Sequence, residues 1–131
     1  MTTINAYSKD KDGNKKLSTN FKVKEFACSD GSDPIFIAPE LVTVLQKIRS
    51  HFGKSVTVTS AYRTPSRNKA VGGTEFSMHL YGCAADIKVA GIAPKTVAQY
   101  AEKLLSDKGG IGSYSTFTHI DVRQTKARWK G

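Results

Sequence analysis

His79 and Asp86 stand seven positions apart in the stretch SMHLYGCAAD, residues 77 to 86, and His119 lies in FTHIDVR, residues 117 to 123. Two imidazoles and one carboxylate are donors that zinc takes readily, and a catalytic zinc keeps a fourth position for water. Zinc lowers the pKa of a coordinated water to about 7 and polarises a carbonyl, so amide hydrolysis is the reaction class such a trio would serve. Iron or another divalent ion could use the same donors. Spacing alone also leaves open that the three are scattered polar residues of an ordinary small domain.

The elements that carry these residues give each side chain a direction. SVTVTSAYR, from Ser55, alternates as a half-buried strand, with Val56 and Val58 on one side. Thr57, Thr59 and, if the strand continues, Ala61 and Arg63 take the other side. In CAADIKVAG the apolar side is Ala85, Ile87 and Val89, and Ala84, Asp86 and Lys88 lie opposite. In FTHIDVR, Ile120 and Val122 face a core while Phe117, His119, Asp121 and Arg123 face away from it. Paired in one sheet, these strands bring Thr59, Arg63, Asp86, His119 and Asp121 to one concave surface. The same parity turns Cys83 toward the core, as a structural thiol rather than a ligand.

Two amphipathic helices supply the cover for the apolar face. Pro39 suits a first helical turn and Glu40 suits its positive end. Leu41, Leu45, Ile48 and Phe52 then form one stripe that Gly53 stops. His51 lies on this helix and reads as an ordinary surface or core histidine. The second helix runs through APKTVAQYAEKLLSDKGG, with Val97, Tyr100, Ala101 and Leu104 on one face and Gly109 and Gly110 ending it. TPSRNKAVGG reads as a short helix or turn. FKVKEF alternates from Phe21, and turn chemistry follows at Ser29 to Pro34. The expected architecture is a single α+β domain: a small antiparallel sheet, helices on one face and the metal site on the other. Residues 1–20 are expected as an irregular arm or short strand, and residues 21–131 as the domain proper.

The chain has 131 residues, 39% hydrophobic and 24% charged, which suits one soluble globular domain with a core of its own. No apolar run approaches the roughly 20 residues of a membrane span, so membrane insertion is not expected. The opening MTTINAYSKDKDGNKK has no apolar h-region, so the expectation is synthesis in the cytoplasm without a signal peptide. A net charge of +9 favours polyanionic partners: nucleic acid, anionic membrane or an anionic cell wall. Lys9, Lys11, Lys15, Lys16, Lys22 and Lys24 have no arginine–aromatic interleaving, and so form a diffuse coat rather than a base-stacking platform. Nucleic acid is therefore not an expected partner. Two cysteines, Cys28 and Cys83, are too few for a disulfide framework, and whether they pair is open.

SAYRTPSRNKAVGG, then SMHLYGCAAD, then GGIGSYSTFTHIDVR with Trp129 beyond it, together resemble the M15 group of zinc peptidases, over about residues 21–129. This group includes D-alanyl-D-alanine carboxypeptidases and dipeptidases and phage endolysin peptidases, and the small phage-associated subgroup is the nearest in pattern. The motif Ser-x-His-x-x-Gly-x-Ala-x-Asp is matched by Ser77, His79, Gly82, Ala84 and Asp86, with His119 and Asp121 as the later His-x-Asp. The resemblance implies a hedgehog/DD-peptidase-like fold and a zinc ion on His79, Asp86 and His119. It implies that Arg63, in Ser-x-x-Arg with Ser60, grips a substrate carboxylate or supports the developing oxyanion, and that Ser77 orients substrate. Gly82 and Ala84 would be small so as not to crowd the metal. The implied activity is hydrolysis of peptidoglycan stem peptides by a monomeric, phage-type lytic enzyme acting at the wall after release.

Two departures bear on catalysis. Relatives carry a carboxylate or a histidine two or three residues before the last ligand, where this chain has Thr116 and Phe117. Asp121 could instead take a proton from the nucleophilic water, or accept a hydrogen bond from a ligand histidine. Met78 stands where close relatives often have glutamine. These departures support a competing expectation, a zinc-containing wall-binding or phage structural module without turnover.

Overall fold

Period-two alternation becomes strand and proline-led apolar periodicity becomes helix along most of the chain. In the computed structural model, which describes residues 3–131, the order is β1 (Asn5–Ser8), α1 (Lys9–Asp12), β2 (Pro34–Ile37), α2 (Pro39–Phe52), β3 (Val56–Ser60) and α3 (Pro65–Ala70). There follow β4 (Ala84–Val89), α4 (Pro94–Leu105), β5 (Gly110–Ser113), β6 (Thr118–Asp121) and β7 (Ala127–Lys130). Short 3-10 turns occupy Val23–Phe26 and Met78–Tyr81. Gly53 ends α2 in the left-handed conformation, at φ 63°.

The main sheet has five strands in the order β3-β4-β6-β5-β7, and β1 pairs with β2 in a separate two-stranded sheet. The pairs β3/β4, β4/β6 and β6/β5 are antiparallel, but β5 and β7 run parallel, so the expected all-antiparallel sheet is a mixed one. Glycine disguised β5: GGIG reads as a helix stop, and only Ile111 of its first three residues carries a side chain for the core. FKVKEF is not a strand. Val23 and Phe26 are both buried at a spacing of three, which a 3-10 turn satisfies and an alternating strand does not.

One core joins the helices to one face of the sheet. Leu41, Leu45 and Ile48 of α2 and Val97, Ala101 and Leu105 of α4 share a buried cluster with Ala85, Ile87, Val89, Ile111 and Ile120. Register does the sorting. Ala85 lies opposite Ile120 and Ile87 opposite Thr118 on the core face, and Ala84 lies opposite Asp121 and Asp86 opposite His119 on the other. Thr118 faces the helices without loss, because its hydroxyl donates to the Pro94 carbonyl at 3.0 Å. No helix of the described residues is long and apolar enough to cross a membrane.

Candidate metal centre

His79, Asp86 and His119 come together as the sequence reading expected. One ligating atom from each lies within 4.8 Å of the other two, and all three residues are buried. Asp86 and His119 meet because β4 and β6 pair them directly. His79 arrives on the 3-10 turn, whose start is capped by Ser77: its Oγ accepts from the His79 amide at 3.2 Å. Gly82 ends that turn at φ 72°, and a Cβ there would lie 2.3 Å from the Phe36 carbonyl oxygen. The chain's own turn and packing therefore already require Gly82 to be small.

The ring nitrogens have distinct partners. His79 Nδ1 lies 2.7 Å from the Ala61 carbonyl oxygen, which can only accept, so Nδ1 holds the proton and Nε2 is left with its lone pair. That Nε2 is 3.3 Å from Asp86 Oδ1. His119 Nδ1 is 3.0 Å from the same Oδ1, while its Nε2 donates to Asp121 Oδ2 at 2.8 Å. Each histidine thus turns one nitrogen to a common point and has the other tied to an oxygen behind it, the arrangement that orients imidazole on a metal.

Electrostatics follow from these contacts. Burial pushes the Asp86 carboxyl up, but the His119 and His79 rings beside it outweigh this and hold the group well below the usual carboxylate range. Asp121 is likewise pushed up by burial and brought far down by His119 and Arg123. Burial pushes His119 down, and its bonds to Asp121 and Asp86 overcome this to raise it. Burial pushes the Cys83 thiol up; with Cys28 it is a free, buried cysteine, in keeping with the core-side reading.

Asp121 is fully buried, and both its oxygens are occupied. Oδ1 accepts from the Arg123 amide at 3.1 Å and from Arg123 Nε at 2.8 Å. Oδ2 accepts from His119 Nε2 and, at 2.7 Å, from Arg123 Nη2. Space for this carboxylate comes from the glycine in β5 opposite it: a Cβ on Gly110 would fall 2.1 Å from Asp121 Oδ2. Gly112 does the same for Trp129, whose indole nitrogen would be 2.5 Å from an added Cβ.

Arg63 reaches the site from the loop after β3, not from the strand. The register of β3 slips between Val58 and Ser60, so Ser60 is the residue paired with Asp86. Thr59, expected on the site surface, instead donates to the Asp86 main-chain carbonyl at 3.1 Å. Arg63 Nε donates to Ser60 Oγ at 3.2 Å, Nη1 to Asn68 Oδ1 at 3.3 Å, and Nη2 lies 3.5 Å from Asp86 Oδ2. Asn68 is buried and also donates to the Thr74 carbonyl at 2.8 Å. Gly73 must be small here, because a Cβ would sit 2.0 Å from Asn68 Oδ1. Asn68, Gly73 and Gly112 were not singled out from the sequence, and Gly110 was read only as a helix stop; the pairing of NKAVGG with the arginine upstream was the available signal for the first two.

Around the trio lies a cleft of about 420 Å³ whose walls include Ser77, Met78, Arg63, Arg123 and Trp129. Trp129 donates to the Tyr114 hydroxyl at 2.8 Å, and Tyr114 stacks on Phe117 with ring centres 4.3 Å apart. Asp86 is the one carboxylate among the described residues lining it. A larger hollow, about 680 Å³, lies against β1 and α2 beside His51 and Tyr100, but no carboxylate and neither candidate ligand histidine lines it. The smaller cleft is the one that the candidate ligands line.

Comparison with known proteins agrees with this picture. A family model described as Peptidase M15 matches residues 17–121. A protein of Haemophilus influenzae named probable peptidoglycan L,D-endopeptidase MepK is 31% identical over 103 residues, covering 71% of this chain and 54% of that protein. The chain therefore spans about half the length of the curated relative it matches.

Proposed function

The chain belongs to the M15 peptidases, and from that premise we propose that it is a zinc-dependent peptidase hydrolysing amide bonds in peptidoglycan stem peptides, with a hedgehog/DD-peptidase-like fold. The observation that carries this reading is the convergence of His79 Nε2 and His119 Nδ1 on Asp86, each ring fixed from behind by an oxygen. Two imidazoles and a carboxylate fit zinc by donor type. A divalent ion bound there would supply Lewis-acid activation for amide hydrolysis.

The protein's own groups have separable tasks in this proposal. Arg63 takes a substrate carboxylate or the developing oxyanion, since Ser60 and Asn68 hold its guanidinium at the cleft wall. Ser77 both caps the turn bearing His79 and faces the cleft, where it would orient substrate. Asp121 is a positioning residue: it keeps the proton on His119 Nε2, and its oxygens are too fully bonded to accept one from water. The basic surface suits an anionic wall, and a phage-type lytic role for a monomer is the context we propose.

Mass spectrometry of muropeptides before and after addition of zinc-loaded protein tests the proposal. New cleavage products that disappear with Asp86→Asn support it; an unchanged muropeptide profile rejects it. A second reading, a zinc-containing wall-binding or phage structural module without turnover, is favoured by Thr116 and Phe117 standing where relatives carry a base and by the closed shell around Asp121. It predicts co-sedimentation with the wall and intact stem peptides.

A further inference from the structure

Arg63 lines two cavities. One is the cleft with the histidines, and the other is a hollow of about 230 Å³ beside the edge strand β3, walled by Ser29, Ser60, Arg63, Arg67 and Val71 among others. Two arginines and no acidic residue line this hollow. A guanidinium has five N–H donors. Those of Arg63 aimed at Ser60, Asn68 and Asp86 account for three, which leaves two. Arg67 is exposed on α3, and its guanidinium has no hydrogen-bond or ion-pair partner among the described residues.

The base of Arg67 is held on both sides. Its amide donates to Thr64 Oγ1 at 3.2 Å, and that hydroxyl donates to Asp30 Oδ2 at 2.7 Å. The next residue, Asn68, is pinned between Arg63 and the Thr74 carbonyl. Two cations beside one recess repel each other until an anion lies between them, and guanidinium forks match the oxygens of a carboxylate.

Resting on the stem-peptide reading above, we propose that this hollow is a second anion subsite, taking a non-terminal carboxylate of the stem peptide, with Arg67 as the residue that selects for it. A stem peptide carries several carboxylates a few bonds apart, so one peptide can present a group to each side of Arg63. The subsite makes recognition depend on whether those carboxylates are free or amidated.

The test uses the zinc-loaded full chain and one stem peptide in two forms, with its non-terminal carboxylates free or amidated. Wild type is expected to prefer the free form by about tenfold in kcat/KM, expressed in KM, as a charge-assisted contact would give. Arg67→Gln narrows that preference to within about twofold and Arg67→Glu reverses it, because charge at this position decides the sign. No preference in wild type, or a preference that survives Arg67→Gln, overturns the subsite. A nitrogen-15 NMR titration of the arginine Nε–H signals decides independently of turnover. Arg67 should shift with the free peptide and not with the amidated one. No shift with either, or saturation by inorganic phosphate at lower concentration than by the peptide, overturns the proposal. If neither peptide is cut, the peptidase reading fails while the titration still judges the subsite.

Discussion

Neighbouring residues of β4 and β6 serve opposite environments. Ile87 and Ile120 are 1% and 0% exposed against α2 and α4, held by shape and hydrophobicity alone. Asp86 and His119, one residue away on each strand, are nearly as buried, yet each of their polar side-chain atoms has a partner. Burial on the first face is favourable in itself; burial on the second is tolerable only because charges are paired and hydrogen-bonded. The first face should therefore forgive conservative change, and the second should not.

The sharpest break between the faces is expected from Asp86→Asn set beside Ile87→Val. The first should abolish stoichiometric zinc by inductively coupled plasma analysis and lower peptide hydrolysis by about a thousandfold or more, since a metal supplies several kcal/mol to the transition state. Ile87→Val should keep its zinc and lose about 1 kcal/mol of stability in urea unfolding. Chelation extends the contrast to pH. His119, raised above its ordinary 6.5, contributes stability that is complete below 6.5 and is lost as pH rises through its folded value. Asp86 and Asp121, depressed below their ordinary 3.8, contribute stability that is present above 3.8 and is lost as pH falls through their folded values. Metal-free protein should then melt lower at about pH 8 than at about pH 5.5, whereas zinc-loaded protein should melt higher, because zinc competes with protons for its ligands. Scanning calorimetry giving the same sign for both forms would break the assignment.

Asp121→Asn probes the layer behind the ligands. Zinc affinity should weaken by about 10- to 100-fold in a competition titration with a chromophoric chelator, as for other groups that orient a ligand histidine. If Asp121 were instead the base, affinity would be untouched and only kcat would fall. The comparison also explains what the sequence could disclose. Parity placed Asp86, His119 and Asp121 on one side and Cys83 on the other, because strand geometry leaves no choice about alternate residues. It failed at Thr59, where one extra residue in β3 resets the alternation, and at Gly110 and Gly112, where the sheet surface is made by absent side chains. Glycine has no hydropathy to alternate, so β5 was hidden by the same feature that makes room for Asp121 and Trp129.

That blind spot yields a smaller effect with a clear sign. Gly110→Ala puts a Cβ against Asp121 Oδ2, and its cost should be about 1–3 kcal/mol with weakened zinc binding, as overpacking of a fixed group does. Ile111→Val, the next residue on the other face, should cost about 0.5–1.5 kcal/mol and leave zinc alone. Equal effects on zinc would mean the two faces are not independent.

The smallest effect should come from the third histidine. His51 is exposed near the end of α2, its ring stacked on Tyr100 at 3.7 Å between centres and edge-on to Phe52 at 4.7 Å. Those are contacts of ring faces and edges, whereas His79 and His119 are engaged through their nitrogens to Ala61, Asp86 and Asp121. His51→Ala should therefore cost about 0.5–1.5 kcal/mol, the worth of an aromatic pair, and leave zinc stoichiometry and hydrolysis unchanged. His51→Phe, which retains the stack, should recover most of that loss, while His79→Phe should lose the metal. A zinc deficit in His51→Ala would show that ring-nitrogen partners do not separate ligand histidines from packing histidines in this fold.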